Sequence, residues 1–257
     1  MNINGKEMTS ESIKDLIQLK CTATPESEAE FEKREQERLH YEGLERIKKS
    51  NEYSNIPKIF WTSRFTDFPN DFTETAKKIC LDQQSNKVVL LLGQVGRGKT
   101  TTLSSAIHER AYNGLMSSMY FSMCDLLLEL DERRRFSSEE SVKQWINKLC
   151  TVEQLFLDEL GTCPNRYEEY IFLNEVYMKR FNNNLTTWGA GNISPIEFKA
   201  LLCNKDIHDL TKEQLEVLSK KMDAENPVLN RIKSVMVVAK FFGESFREAH
   251  NDSYTIQ

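Results

Sequence analysis

The stretch Lys87-Val-Val-Leu-Leu-Leu-Gly-Gln-Val-Gly-Arg-Gly-Lys-Thr-Thr101 decides the fold. Its apolar first half predicts a buried strand, and residues 93 to 100 complete the pattern G-x-x-x-x-G-K-[ST] of a phosphate-binding loop that opens a helix. Glycine at 93, 96 and 98 lets the backbone close around an anion where a Cβ would intrude, with successive N–H groups aimed at phosphate oxygens. The nucleotide-binding set expected here is Gly93, Gln94, Val95, Gly96, Arg97, Gly98, Lys99, Thr100 and Thr101. Lys99 is placed to reach the β- and γ-phosphates as a point charge. The Thr100 hydroxyl is placed to hold Mg²⁺, and the positive end of the helix adds to the attraction. A nucleoside triphosphate with Mg²⁺ is the expected ligand.

The strand pattern continues outward from this loop. Val88 to Leu92, Ser118 to Ser122, Gln154 to Asp158, Leu185 to Ala190 and Ser234 to Ala239 read as short apolar strands separated by helical segments. That alternation predicts an α/β domain with a five-stranded parallel sheet and right-handed crossovers. Helix starts are expected at Ser137-Ser-Glu-Glu140, at Ser194-Pro-Ile-Glu197 and at Thr211-Lys-Glu-Gln214, each with a cap residue followed three places on by a Glu or Gln. The helix from 211 is expected to end before Pro227.

Upstream the composition changes. Between Glu26 and Ser50 there are eight acidic and six basic side chains, with Phe31, Leu39, Tyr41, Leu44 and Ile47 as a thin apolar stripe. This predicts an exposed, charge-laced helix with too little apolar surface for a core of its own, suited to docking on a partner. Ile13, Leu16 and Ile17 make a smaller face before a break at Thr22-Ala-Thr-Pro25. The division expected is 1–52 as a helical arm and 53–257 as the nucleotide-binding domain.

At 257 residues, with a formal net charge of −5 and pI near 5.6, the chain carries no global basic field for nucleic acid, so any such contact must be local. Arg133-Arg-Arg135 is one local candidate. Six scattered cysteines form no C-x-x-C pair, so neither a zinc ribbon nor a redox pair is indicated by their spacing. No apolar stretch approaches the length of a membrane span, and a soluble cytoplasmic protein is expected.

Three further positions carry chemistry. Leu155-Phe-Leu-Asp-Glu159 ends an apolar strand in two carboxylates at the edge where α/β sheets bind ligands. Asp158 is placed to complete the Mg²⁺ shell opposite Thr100, and Glu159 to polarise an attacking water. Asn192 ends the next strand and can orient that water. Arg231, just before the last strand, can act as an arginine finger in a neighbouring subunit's site, with Arg180 and Arg166 as weaker rivals. A D-x-x-G switch is absent and Asn204-Lys-Asp-Ile207 departs from N-K-x-D, so ATP is favoured over GTP.

Taken together, these motifs and their spacing resemble the AAA+ ATPases of the DnaC/IstB family, which comprises helicase loaders and transposition helper ATPases. The resemblance covers about residues 53 to 250. Gly93 to Thr100 matches Walker A and Leu155 to Gly161 matches Walker B. Asn192 falls at sensor 1, Arg231 at the finger and Ser245-Phe-Arg247 at a closing Ser-Tyr-Arg. Ile56-Pro57 with Arg64-Phe-Thr-Asp-Phe68 resembles the linker into the core. Only about eighteen residues follow the fifth strand, so the AAA+ core is expected to lack a C-terminal helical lid. The resemblance implies ATP and Mg²⁺ as cofactors, self-association through AAA+ interfaces, a hexameric replicative helicase held by the N-terminal arm, and single-stranded DNA. The alternative it implies is an IstB-like helper that remodels target DNA and recruits a transposase. The family usually reaches its sensor Asn with Thr-Asn, where this chain has Trp-Gly-Ala-Gly-Asn192. The segment from Asn192 to Arg231 is also longer than usual, with an extra helix near 211 to 223.

Overall fold

The computed structural model describes residues 2–3, 6–7, 25–67, 71–135 and 141–241, with side chains from Ala29 onward. Two compact units divide between Glu45 and Arg46. In the first, β1 (Asn2–Ile3) and β2 (Lys6–Glu7) form a two-stranded antiparallel ribbon. The first unit also holds most of α1 (Pro25–Tyr53). Arg38 bonds the carboxylates of Glu35 and Glu42 one turn away on either side, while Phe31 and Tyr41 stand 70% and 64% exposed. That is the charge-laced helix expected from the composition, held by local ion pairs instead of a core. Ile13, Leu16 and Ile17 lie outside the described residues.

The last two turns of α1 belong to the second unit. Ile47, Ser50 and Asn51 are buried there, so the compact core begins at Arg46, inside the helix and upstream of Tyr53. Asn51 Oδ1 lies 2.6 Å from His108 Nε2, and His108 Nδ1 lies 2.8 Å from the Ser63 carbonyl. The linker is thereby tied to the helix that follows the phosphate loop. Burial pushes the His108 imidazole down to about 4.

The second unit is a three-layer sandwich. Its chain order runs α2 (Thr73–Leu81), β3 (Val88–Gly93), α3 (Lys99–Tyr112), β4 (Ser118–Ser122), α4 (Met123–Arg135), α5 (Val142–Thr151) and β5 (Gln154–Leu160). It continues through α6 (Arg166–Asn182), β6 (Thr186–Gly191), α7 (Pro195–Leu202), α8 (Lys212–Glu225), α9 (Pro227–Ile232) and β7 (Met236–Phe241). The five strands β3 to β7 are all parallel in the order β4-β5-β6-β3-β7. Alternation along β3 sorts the core: Val88, Leu90 and Leu92 pack with α4 to α7 and α9, whereas Val89 and Leu91 pack with α2 and α3.

Glycines on β6 serve the same alternation. Trp188 faces α3, stacked on Phe156 at 5.5 Å, while its neighbour Gly189 faces the other layer. A Cβ at Gly189 would come within 2.7 Å of Leu160 Cδ1 and 3.0 Å of the Tyr177 hydroxyl. The Trp-Gly-Ala-Gly run is therefore large on one face and empty on the other, which lets Leu160 and α6 close on the sheet.

Several boundaries move from their expected places for local reasons. Residues 137–140 lie outside the described residues, and the box that starts α5 is Ser141 with Gln144. The boxes at Ser194/Glu197 and Thr211/Gln214 form as expected. Asn226 then caps a further helix, α9, that the pattern did not announce. β7 starts at Met236 because Val235 N–H closes a turn onto Ile232 O.

Candidate functional site

The site forms where β3 and β5 reach their carboxyl ends, across β6. Gly93, Gly96 and Gly98 take φ of 144°, 76° and 83°, a region closed to most side chains. Gly93 has a second constraint: a Cβ there would lie 2.2 Å from the Phe241 carbonyl of β7. Lys99 is buried at the start of α3, and its Nζ donates to the Gly93 carbonyl at 2.9 Å and to that of Gln94. Desolvation lowers its affinity for a proton, and the Asp158 carboxylate opposes that. Arg97 donates through Nη2 to Gln94, while its Nε and Nη1 are buried without a partner among the described residues. Orphaned donors in this loop fit an anionic ligand.

Asp158 is the hub. Its Oδ2 accepts from Thr100 Oγ1 at 2.6 Å and from the Tyr120 hydroxyl at 2.9 Å, and its Oδ1 accepts from Glu159 N–H at 2.8 Å. Thr100 and Asp158 are hard oxygen donors of the kind Mg²⁺ selects, so the residues present fit the cation. Tyr120 sits on the α3-facing side of β4 and its phenol is held neutral by burial and by the Asp158 charge.

Glu159 is exposed although it lies within β5. The strand breaks register with β6 between Leu157 and Leu160, and Glu159 takes φ of 59°. A non-glycine residue there is strained, and such strain concentrates at functional sites. Its carboxylate accepts from Ser122 Oγ at 2.8 Å. The next turn is fixed from below: the N–H of Gly161, itself at φ 81°, donates to Glu169 Oε1 at 2.7 Å. Glu169 is fully buried, its other oxygen has no partner among the described residues, and burial raises its proton affinity. Ser122, Tyr120 and Glu169 were given no role by the sequence, and Gly161 entered only as the last residue of the Walker B match.

The other expected positions stand further out. Asn192 follows β6 directly and is exposed at the edge between β5 and β3. Arg231 is exposed at the end of α9, with Nη1 against Met178 Sδ. Arg180 is no finger. It is fully buried and donates to Thr187 Oγ1 and to the carbonyls of Leu149, Val152, Glu153 and Thr186. The basic run is engaged as well: Arg133 bonds Glu129, Arg134 lies 3.7 Å from Glu168, and Arg135 lies 2.7 Å from Asp131. Ser245 to Arg247 and Phe68 lie outside the described residues. Among the described residues no helix is long and apolar enough to cross a membrane.

No protein-family model and no curated sequence matches the chain. Solved structures do. The DnaC helicase loader superposes with a TM-score of 0.53 at 15% identity, covering 72% of this chain and 100% of that one. DnaI gives 0.51 at 17%, over 74% and 93%. AMPPCP-bound DnaA from Aquifex aeolicus gives 0.52 at 14%, over 72% of this chain and 52% of its own. The match thus spans about half of the DnaA chain, as it does of a DNA replication initiation factor, at 49%. The fold is the one these structures share. Within it, the phosphate loop, the Thr100–Asp158 pair and the raised Glu159 meet at one edge, an arrangement suited to holding a triphosphate and a divalent cation beside a carboxylate base.

Proposed function

We propose that this chain is an ATP-dependent loader of a replicative DNA helicase onto single-stranded DNA. The observation that carries the reading is the 2.6 Å pairing of Thr100 with Asp158 beside a complete phosphate loop, on a fold that covers the full length of a DnaC helicase loader. ATP enters through Gly93 to Thr101, with Lys99 on the outer phosphates. Mg²⁺ is held by Thr100 and Asp158. Glu159 orients the water and Asn192 assists it. The nucleotide analogue on the DnaA neighbour supports ATP as ligand.

The partner is a hexameric helicase, held by the N-terminal arm, and single-stranded DNA is met during loading through its phosphates. A pull-down decides the first point. Deleting residues 1–45, and not 1–52, leaves Ile47 and Asn51 in place, so the remaining core stays folded and binds ATP. Capture of a replicative helicase is expected from the full chain and lost from the core. Equal capture by both moves the docking surface off the arm. Capture by neither favours the transposition helper, which would use the same ATPase residues.

Self-association through AAA+ interfaces places the exposed Arg231 guanidinium in the neighbouring subunit's site. Arg231→Ala is expected to bind ATP normally and to turn over slowly when assembled. Mixed with Lys99→Ala protein, some interfaces pair an intact phosphate loop with an intact Arg231, and activity should return. Demonstrated co-assembly without recovery would remove the trans-acting role.

A further inference from the structure

Cys124 is the second residue of α4, two places after Ser122, and Cys163 follows Glu159 by four. Their sulfurs lie 3.4 Å apart. We propose that Cys124 and Cys163 are a reversible disulfide-forming pair that, when oxidised by a small disulfide or a peroxide, locks the Ser122–Glu159 corner. A covalent S–S bond is about 2 Å long, so the two sulfurs are already within reach of a side-chain adjustment. The two cysteines come from different elements, the first turn of α4 and the loop after β5, and Thr162 Oγ1 lies 3.8 Å from Cys124 Sγ in the same corner.

The consequence follows from position. Ser122 Oγ holds the Glu159 carboxylate, and the loop beyond Glu159 is pinned by Glu169 at Gly161. A bond between Cys124 and Cys163 ties together the two segments that carry Ser122 and Glu159. The carboxylate then stays on the serine instead of turning to water. Nucleotide binding, which uses Gly93 to Thr101, lies outside the tied segments.

The exchange runs in two steps. Cys124 is part-exposed and meets the oxidant first. With oxidised glutathione, its thiolate attacks one sulfur, forming a mixed disulfide and expelling glutathione thiolate, which takes up the released proton. Cys163 then attacks the Cys124 sulfur and expels the second glutathione, its own proton passing to that leaving thiolate. Two thiols lose two electrons to the glutathione disulfide, and two glutathione thiols are formed. Burial, and after it the nearby Glu169 carboxylate, push the Cys163 thiol up, so it serves as the resolving partner and not the entry point. A pair that rests as dithiol and closes on oxidation has the character of a redox site, not of a structural staple.

The test uses the full chain, reduced, then exposed to oxidised glutathione. Peptide mapping after alkylation is expected to find Cys124 joined to Cys163. ATP turnover is expected to fall by about tenfold, less than the loss of a general base, with ATP affinity unchanged, and to return with dithiothreitol. Cys124→Ser protein should keep its turnover through the same treatment. The turnover arm rests on the ATPase reading, but the mapping arm does not: reduced protein without turnover would overturn that reading and leave the disulfide to be judged by mapping alone. Oxidised protein whose Cys124 and Cys163 remain unlinked while other thiols carry glutathione overturns the proposal. So does an equal loss of turnover in Cys124→Ser.

Discussion

Lys99→Ala is expected to weaken ATP binding by about a hundredfold, the loss of charge-assisted contacts worth roughly 1.5–3 kcal/mol. The effect is concentrated in this one side chain because the loop amides offer partial charges only, while Lys99 carries a full one into a buried position. The fold should survive. In the free protein the ammonium donates to the carbonyls of Gly93 and Gln94 and is already desolvated, so its removal deletes a group whose charged form burial disfavours. Isothermal titration with ATP and circular dichroism on the same sample read the two halves of the claim. A folded variant with unchanged affinity would sink the nucleotide site as described.

Glu159→Gln should separate binding from turnover. The amide oxygen can still accept from Ser122, and the left-handed backbone at this residue asks no more of glutamine than of glutamate. What goes is the group that takes a proton from water, commonly worth about 10²- to 10⁴-fold in rate. ATP and Mg²⁺ should remain, giving a trapped assembly measurable as one retained nucleotide per occupied site in single turnover. Turnover within about threefold of the parent would reassign the base, threefold being far below what a general base supplies. Asp158→Asn is the companion: it should raise the Mg²⁺ requirement, since it removes charge from the pair with Thr100.

Much of this was legible before any fold was drawn. The five strands fall within two residues of where apolar runs placed them, since a strand covered on both faces leaves an uninterrupted apolar signature. The turn through Gly93, Gly96 and Gly98 between β3 and α3 was legible because glycine spacing encodes backbone geometry directly. What stayed hidden depends on contacts distant in sequence. Nothing local reports that Glu159 turns left-handed; the shift of β5 against β6 does that, and it needs Gly191 beside Leu160. Glu169 reads as one more first-turn acid on a helix until its carboxylate is found on the Gly161 amide. Arg180 stood as a rival for the finger because arginine is usually exposed, and only the convergence of four carbonyls explains its burial. The compact core begins seven residues before the expected boundary at Tyr53 for a related reason. Ile47 and Asn51 continue the same charged helix, and only their burial against the core distinguishes them from the residues before.

The two buried arginines also divide the sheet into unequal halves. Arg110 holds Ser118, the Cys80 carbonyl and the Glu153 carboxylate, and Arg180 holds the backbone around Leu149, Glu153 and Thr186. Ser118, Glu153 and Thr186 mark the places where β4, β5 and β6 begin. Parting the strands at that end would strip two guanidiniums of their acceptors inside the protein, a cost of several kcal/mol for each uncompensated charge. At the opposite end β5 turns left-handed at Glu159 and loses its register with β6. The molecule is thus riveted at its base and sprung at its lip. Motion is expected at the lip, and amide hydrogen exchange that proved equally slow at both ends would contradict it.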